Sequence, residues 1–367
     1  MFNEFKLKEN VILKNRIVVA PMTTWSGNDD LTISNEEIEY YKYRSEDVGM
    51  FITACTFFQP NGQGFENQFY AGTDNYIDSL KKLADAIKFN GAKGILQIFH
   101  AGRKADPSKG VLISASAVKP TSTSYGTLES LPVPKEMTEE EINEIIEGFY
   151  STTVRAIKAG FDGIEIHGAN TYLLQQFFSP HSNKRSDQWG GSLENRMKLI
   201  LEVINSVNRA KKEFGKEEFI IGYRFSPEEI EEPGITIEDT LALVDTLSGQ
   251  DIDYLHISLK DYNATSSRDE NDKRIIGKLI SEKINGRKPL IGVGSITTKE
   301  KAEDAINLCY DLVALGRILL TEPKWVHKIK NNEEIIDYID LKNPKEQYLP
   351  EKMVKKIEGI PGWINLK

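Results

Sequence analysis

The stretch Gly163-Ile164-Glu165-Ile166-His167 is apolar except for Glu165 and His167, and it runs on into Gly168-Ala169-Asn170-Thr171-Tyr172. Alternation with a period of two puts Glu165 and His167 on one face and Ile164 and Ile166 on the other. A chain that turns directly after His167 lets its imidazole and the Asn170 amide donate toward one oxygen. Such donors stabilise negative charge developing on a carbonyl, and the Tyr172 phenol, two residues on, can supply a proton. Read one at a time, His167 also fits a satisfied structural histidine and Tyr172 a packing residue. A metal site is disfavoured, because no second histidine stands at ligand spacing and Glu165 would be a lone carboxylate.

Two further constellations point to a ligand. Gly294-Ser295 and Gly316-Arg317 each follow a short apolar run near the end of the chain. Glycine amides with a guanidinium between adjacent strands make a phosphate site, so a phosphorylated ligand is expected, with plain tight turns as the other reading. Arg224 lies in an apolar run beside Gly222, whose size leaves room for a ligand. A buried arginine needs an anion, either Glu165 or a reduced cofactor ring.

These groups need a frame that brings strand ends together. Eight short apolar runs alternate with amphipathic stretches: Ile17–Ala20, Met50–Ala54, Gly94–Phe99, Gly163–His167, Phe219–Phe225, Tyr254–Ser258, Leu290–Val293 and Leu312–Leu315. The pattern predicts repeated βα units, and eight of them with the phosphate-type glycines at the end favour a closed (β/α)8 barrel (TIM barrel) over an open doubly wound sheet. Thr138 and Ser192 precede acidic first turns and predict helix starts. Residues 1–367 read as one domain. Residues 1–14 form a hairpin turning near Lys8 to Asn10, residues 104–137 a long Ser/Thr/Pro-rich excursion of the kind used as a lid, and residues 331–367 a tail of extra helices plus the turn Pro361-Gly362-Trp363.

Composition narrows the function classes. The 46 Lys and Arg against 55 Asp and Glu give a net charge of −9, with no clustered basic run, which argues against a nucleic-acid partner. No apolar run approaches the ~20 residues of a membrane span, and residues 1–14 offer no signal peptide, so a cytoplasmic location is expected. The only cysteines, Cys55 and Cys309, are too few for an iron–sulfur or four-cysteine zinc site.

Ordered motifs over nearly the whole barrel resemble those of the Old Yellow Enzyme family of FMN-dependent ene-reductases. They are Leu13-Lys14-Asn15-Arg16-Ile17 leading to Ala20-Pro21-Met22-Thr23, then Gln97-Ile98-Phe99-His100-Ala101-Gly102-Arg103, then Ile164 to Leu173, then Ser179 to Arg196. The resemblance implies bound FMN, its ring beside Ala20, Pro21, Met22, Thr23, Gln97, His167 and Arg224 and its phosphate on Gly294, Ser295, Gly316 and Arg317. It implies that His167 and Asn170 hold the substrate carbonyl. Tyr172 would then protonate the α-carbon after hydride passes from flavin N5 to the β-carbon. NADH or NADPH would be the donor and an activated alkene such as an enone the acceptor. An amine or demethylating dehydrogenase, or an NAD(P)H oxidase, of the same fold is the alternative.

Departures from the family pattern matter too. Thr23 takes a position near flavin O4 that one branch of the family fills with cysteine. Cys55 closes the second strand, where a small residue is usual; it reads as a contact at the flavin edge or as a small buried hydrophobe. Trp25 stands where an aromatic often lines the substrate pocket. Some relatives lend a late arginine to a neighbouring subunit, but no arginine follows Arg317, which leaves a homo-oligomer open. His100 and Arg103 are further candidates to reach the pocket. Arg185, Asp187, Glu194 and Arg196 read as a loop-bracing ion network.

Overall fold

In a computed structural model, which describes residues 1–214 and 216–367, the eight apolar runs close into a parallel barrel. Its strands are β1 (Ile17–Val19), β2 (Met50–Ile52), β3 (Lys93–Ile98), β4 (Gly163–Gly168), β5 (Ile220–Phe225), β6 (Tyr254–Ile257), β7 (Leu290–Val293) and β8 (Leu312–Leu315). β8 pairs with β1 to close the ring, Leu315 opposite Val19. Nearly every strand residue is buried because helices cover the outer face and side chains fill the inside.

The covering helices are α1 (Asn35–Arg44), α2 (Ile77–Lys88), α3 (Glu139–Lys158), α4 (Leu193–Glu213), α5 (Ile237–Ser248), α6 (Ile276–Ile284), α7 (Lys299–Leu308) and α8 (Trp325–Asn331). Hydroxyl caps start several of them. Thr138 and Glu141 form a reciprocal capping box on α3, and Ser192 accepts from the Asn195 amide at the start of α4. Each such cap satisfies an amide the helix itself leaves unpaired.

The hairpin Phe5–Lys8/Val11–Leu13 packs Leu7, Val11 and Leu13 with Met50, Ile95 and Leu312. The side chains at the other end of the strands are thereby left for the ligand. The excursion 104–137 is partly tied down: Ile113–Ser114 pairs with Lys135–Glu136, and Arg103 donates to the carbonyls of Val118 (3.1 Å) and Lys119 (3.0 Å). The tail differs from the expected helices and turn in containing strand pairing. It contains α9 (Glu351–Glu358), and Tyr338–Ile339 pairs in parallel with Asn365–Leu366. Strands of two residues are too short to leave a periodic signal. Among the described residues no helix is long and apolar enough to cross a membrane.

Candidate active site

Strand register sets the polar interior of the barrel. Gln97 on β3 lies opposite Glu165 on β4, Glu165 opposite Gly222 on β5, and Gly222 opposite Tyr254 on β6. One step toward the strand ends, His167, Arg224 and His256 form the next row. Glu165 is fully buried and accepts three hydrogen bonds, from Gln97 Nε2 (2.7 Å), Tyr254 OH (3.1 Å) and His256 Nδ1 (2.8 Å). Burial alone would raise its pKa; the hydrogen bond from His256, the charge of Arg224 and the bond from Gln97 hold it below the ordinary value. Burial keeps His256 neutral, so its Nδ1–H serves an ionised carboxylate.

The room expected at Gly222 is already taken, because a Cβ there would stand 2.0 Å from the Tyr254 ring, which crosses the strand to reach Glu165. Arg224 makes no ion pair with Glu165. Its Nη2 donates to Ser258 Oγ (3.2 Å), and its buried Nε has no partner. That unpartnered donor is the strongest local sign of a missing acceptor.

The strand-four end supplies the donors. His167 Nδ1 accepts from the Ala169 amide (3.2 Å), so the ring proton sits on Nε2. Burial, helped by Arg224 and His256, pushes its pKa well down, which leaves a neutral ring that donates through Nε2. Asn170 and Thr171 both adopt left-handed backbone, φ 58° and 66°, a strained pair that swings the chain sharply off β4. Asn170 Oδ1 accepts from Ser258 Oγ (2.9 Å), which leaves its amide hydrogens for another acceptor. Tyr172 stands edge-on to the His167 ring at 5.2 Å and to Phe99 at 4.8 Å. Burial pushes its phenol up, with Cys55 and Tyr125 adding to the shift, so it stays protonated.

The ends of β7 and β8 open on a cavity of about 620 Å³ lined by Ala20, Pro21, Met22, Arg224, Gly294, Ser295, Gly316 and Arg317. Gly294 has φ 126°, and a Cβ there would lie 2.7 Å from the Asp261 backbone. At Gly316 a Cβ would meet only Met22 Sδ at 3.6 Å and Ala20 Cβ at 3.9 Å, so glycine keeps that wall clear. The cavity therefore joins a phosphate-type cradle to Arg224 with its unpartnered Nε, a donor set that fits a flat anionic ring carrying a phosphate. Thr23 and Cys55 are neighbours, and Gln68 Nε2 donates to Cys55 Sγ (3.3 Å). Burial pushes the Cys55 thiol up to about 12, so it is a protonated, inert group. Trp25 packs edge-on against Phe65 at 6.4 Å, and Phe65 against Tyr172 at 6.3 Å.

Other candidates serve the scaffold. His100 is buried, accepts from the Gly102 amide (3.0 Å), and is pushed down to about 3 by burial. Arg185 pairs with Asp187 at 2.6 Å and Arg196 with Asp239 at 3.3 Å, whereas Glu194 joins neither. His256, Tyr254 and Ser258 were not anticipated; in sequence they are ordinary members of an apolar strand. Lys301, which donates to the Ser295 carbonyl (3.2 Å), was also missed.

The profile of the NADH:flavin oxidoreductase / NADH oxidase family matches residues 1–335. The chain belongs to this family. It is 42% identical to the Bacillus subtilis protein named "Probable NADH-dependent flavin oxidoreductase YqiG", over all of this chain and 98% of that protein. It is also 42% identical to the NADH:acrylate oxidoreductase of Vibrio harveyi, over 95% of this chain but 35% of that much longer protein. Among solved structures, morphinone reductase superposes with a TM-score of 0.79 at 25% identity, covering 94% of this chain and 92% of its own. The protein is an NAD(P)H-dependent flavin oxidoreductase, and membership in the family implies the use of FMN.

Proposed function

We propose that this flavin oxidoreductase is an ene-reductase, which uses NADH or NADPH to reduce the activated C=C bond of an α,β-unsaturated carbonyl compound. The observation that carries the reading is the hydrogen-bond arrangement at the end of β4: His167 Nδ1 accepts from the Ala169 amide, which leaves Nε2 to donate, and Asn170 Oδ1 accepts from Ser258, which leaves its amide hydrogens to donate. Two donors of this kind bind a carbonyl oxygen and gain strength as it becomes enolate-like. Tyr172, protonated and packed on His167, would give its proton to the α-carbon next to that carbonyl. Arg224, Gln97, Thr23 and the backbone at Ala20 to Met22 would hold the FMN ring, while Gly294, Ser295, Gly316 and Arg317 would hold its phosphate. Bound FMN would supply two-electron hydride chemistry, taking hydride from the nucleotide and giving it to the alkene.

Anaerobic titration tests the reading. The yellow protein should bleach with NADH or NADPH and regain its colour on adding 2-cyclohexenone. Colour that returns only with oxygen favours an NAD(P)H oxidase, and bleaching by an amine rather than by nucleotide favours a dehydrogenase.

A further inference from the structure

The cavity at the ends of β7 and β8 has a wall that the strand ends do not provide. Gly362, Trp363, Ile364 and Asn365 line it together with Ile335 and Asp337. The two segments are held by the pairing of Tyr338–Ile339 with Asn365–Leu366, by Lys367 N donating to the Ile339 carbonyl (3.0 Å), and by Leu341 N donating to the Lys367 carbonyl (2.8 Å). Ile339 is fully buried and anchors one side, whereas Asn365, Leu366 and Lys367 are exposed. A segment with so few bonds and so little buried surface opens at low cost compared with the barrel.

Arg317 links this segment to the phosphate cradle. Its Nη1 donates to the Trp363 carbonyl (3.2 Å), and it lines the cavity. One guanidinium therefore holds the segment and presents its remaining N–H groups and its charge to the cradle beside Gly316. Trp363 also packs edge-on against Trp25 at 6.4 Å, a second contact that seats the segment.

We propose that residues 362–367 are a closing strand of the cofactor site, and that Arg317 couples its docking to binding of the FMN phosphate. The proposal rests on the reading of this cavity as the FMN site. An anion that fixes Arg317 fixes the donor the strand docks on, and linkage makes the effect reciprocal: what FMN does to docking, docking does to FMN affinity.

The test is amide hydrogen exchange on the full-length protein in three states: flavin-free, FMN-loaded and loaded with riboflavin, which lacks the phosphate. Exchange of residues 363–367 and of Leu341 should slow by about tenfold with FMN and change little with riboflavin, and Trp363→Ala should raise the FMN dissociation constant by a similar factor. Equal exchange with and without FMN overturns the proposal, as does riboflavin protecting the strand as fully as FMN. Trp363→Ala holding FMN as tightly as the parent overturns it too. A chain that binds neither flavin instead removes the FMN reading on which the proposal rests.

Discussion

Replacing Glu165 by Gln probes the hub of the barrel interior. The carboxylate accepts from Gln97, Tyr254 and His256 at 2.7, 3.1 and 2.8 Å, with no solvent to substitute for any of them. A carboxamide keeps one accepting oxygen and turns the other into an NH2 donor, so the bonds on one side are lost or must rearrange while the rest fall from about 1.5–3 kcal/mol for a charged acceptor to about 0.5–1.5 for a neutral one, a cost of about 3 kcal/mol in all. Loss of the Glu165 charge, which favours the buried Arg224 cation, acts in the same direction, while relief of the carboxylate's own desolvation offsets part of both. With a urea slope of about 3 kcal/mol/M, the unfolding midpoint of the flavin-free protein should fall by about 1 M at neutral pH. Because Arg224 keeps its charge without a compensating anion, bound FMN should also become easier to reduce. A midpoint shift below about 0.3 M with an unchanged slope refutes the reasoning, since an amide would then serve the three donors as well as the carboxylate does.

Tyr172→Phe should slow reoxidation by enone about 10²–10⁴-fold while leaving reduction by nucleotide within a few-fold, checked by stopped-flow on each half-reaction. Gly316→Val should weaken FMN binding more than about tenfold with little change in the melting temperature of the flavin-free chain, because its side chain enters the open cavity; Gly222→Ala, which meets the Tyr254 ring, should lower that temperature instead. Glu37, buried where it accepts from Thr24 Oγ1 (2.6 Å), is pushed up to about 7 from 4.5 by burial. The folded chain therefore retains a proton that the unfolded chain releases, and stability falls as pH rises from about 4.5 to about 7, by about 3 kcal/mol in all. Glu37→Gln should abolish that fall, so urea unfolding at pH 5 and 8.5 should show the variant gaining on the parent only at the higher pH.

The barrel could be read from the sequence because strands buried on both faces are nearly uninterrupted apolar runs, and because Thr138 and Ser192 announce their helices with local chemistry. The residues of the β4 end and the two glycine loops were visible for the same local reason: polar or small residues directly after an apolar run. Partnerships across strands were not. Glu165 and His256 lie 91 positions apart, and nothing in Tyr254-Leu255-His256-Ile257 marks two of the four as ligands of a buried carboxylate. Gly222 shows the converse error: a small residue suggests space, but a distant tyrosine fills it. The wall formed by residues 362–365 depends on a two-residue strand whose partner lies 27 positions away, Tyr338 opposite Asn365, and no periodicity can report that.

The central claim, that His167 and Asn170 hold a carbonyl while Tyr172 protonates the neighbouring carbon, is tested most directly by anaerobic turnover of 2-cyclohexenone with NADH or NADPH in D2O. The account predicts a saturated ketone with solvent deuterium at the α-carbon, formed far more slowly by Tyr172→Phe. No saturated product, or Tyr172→Phe delivering the same label at the parent's rate, would contradict it.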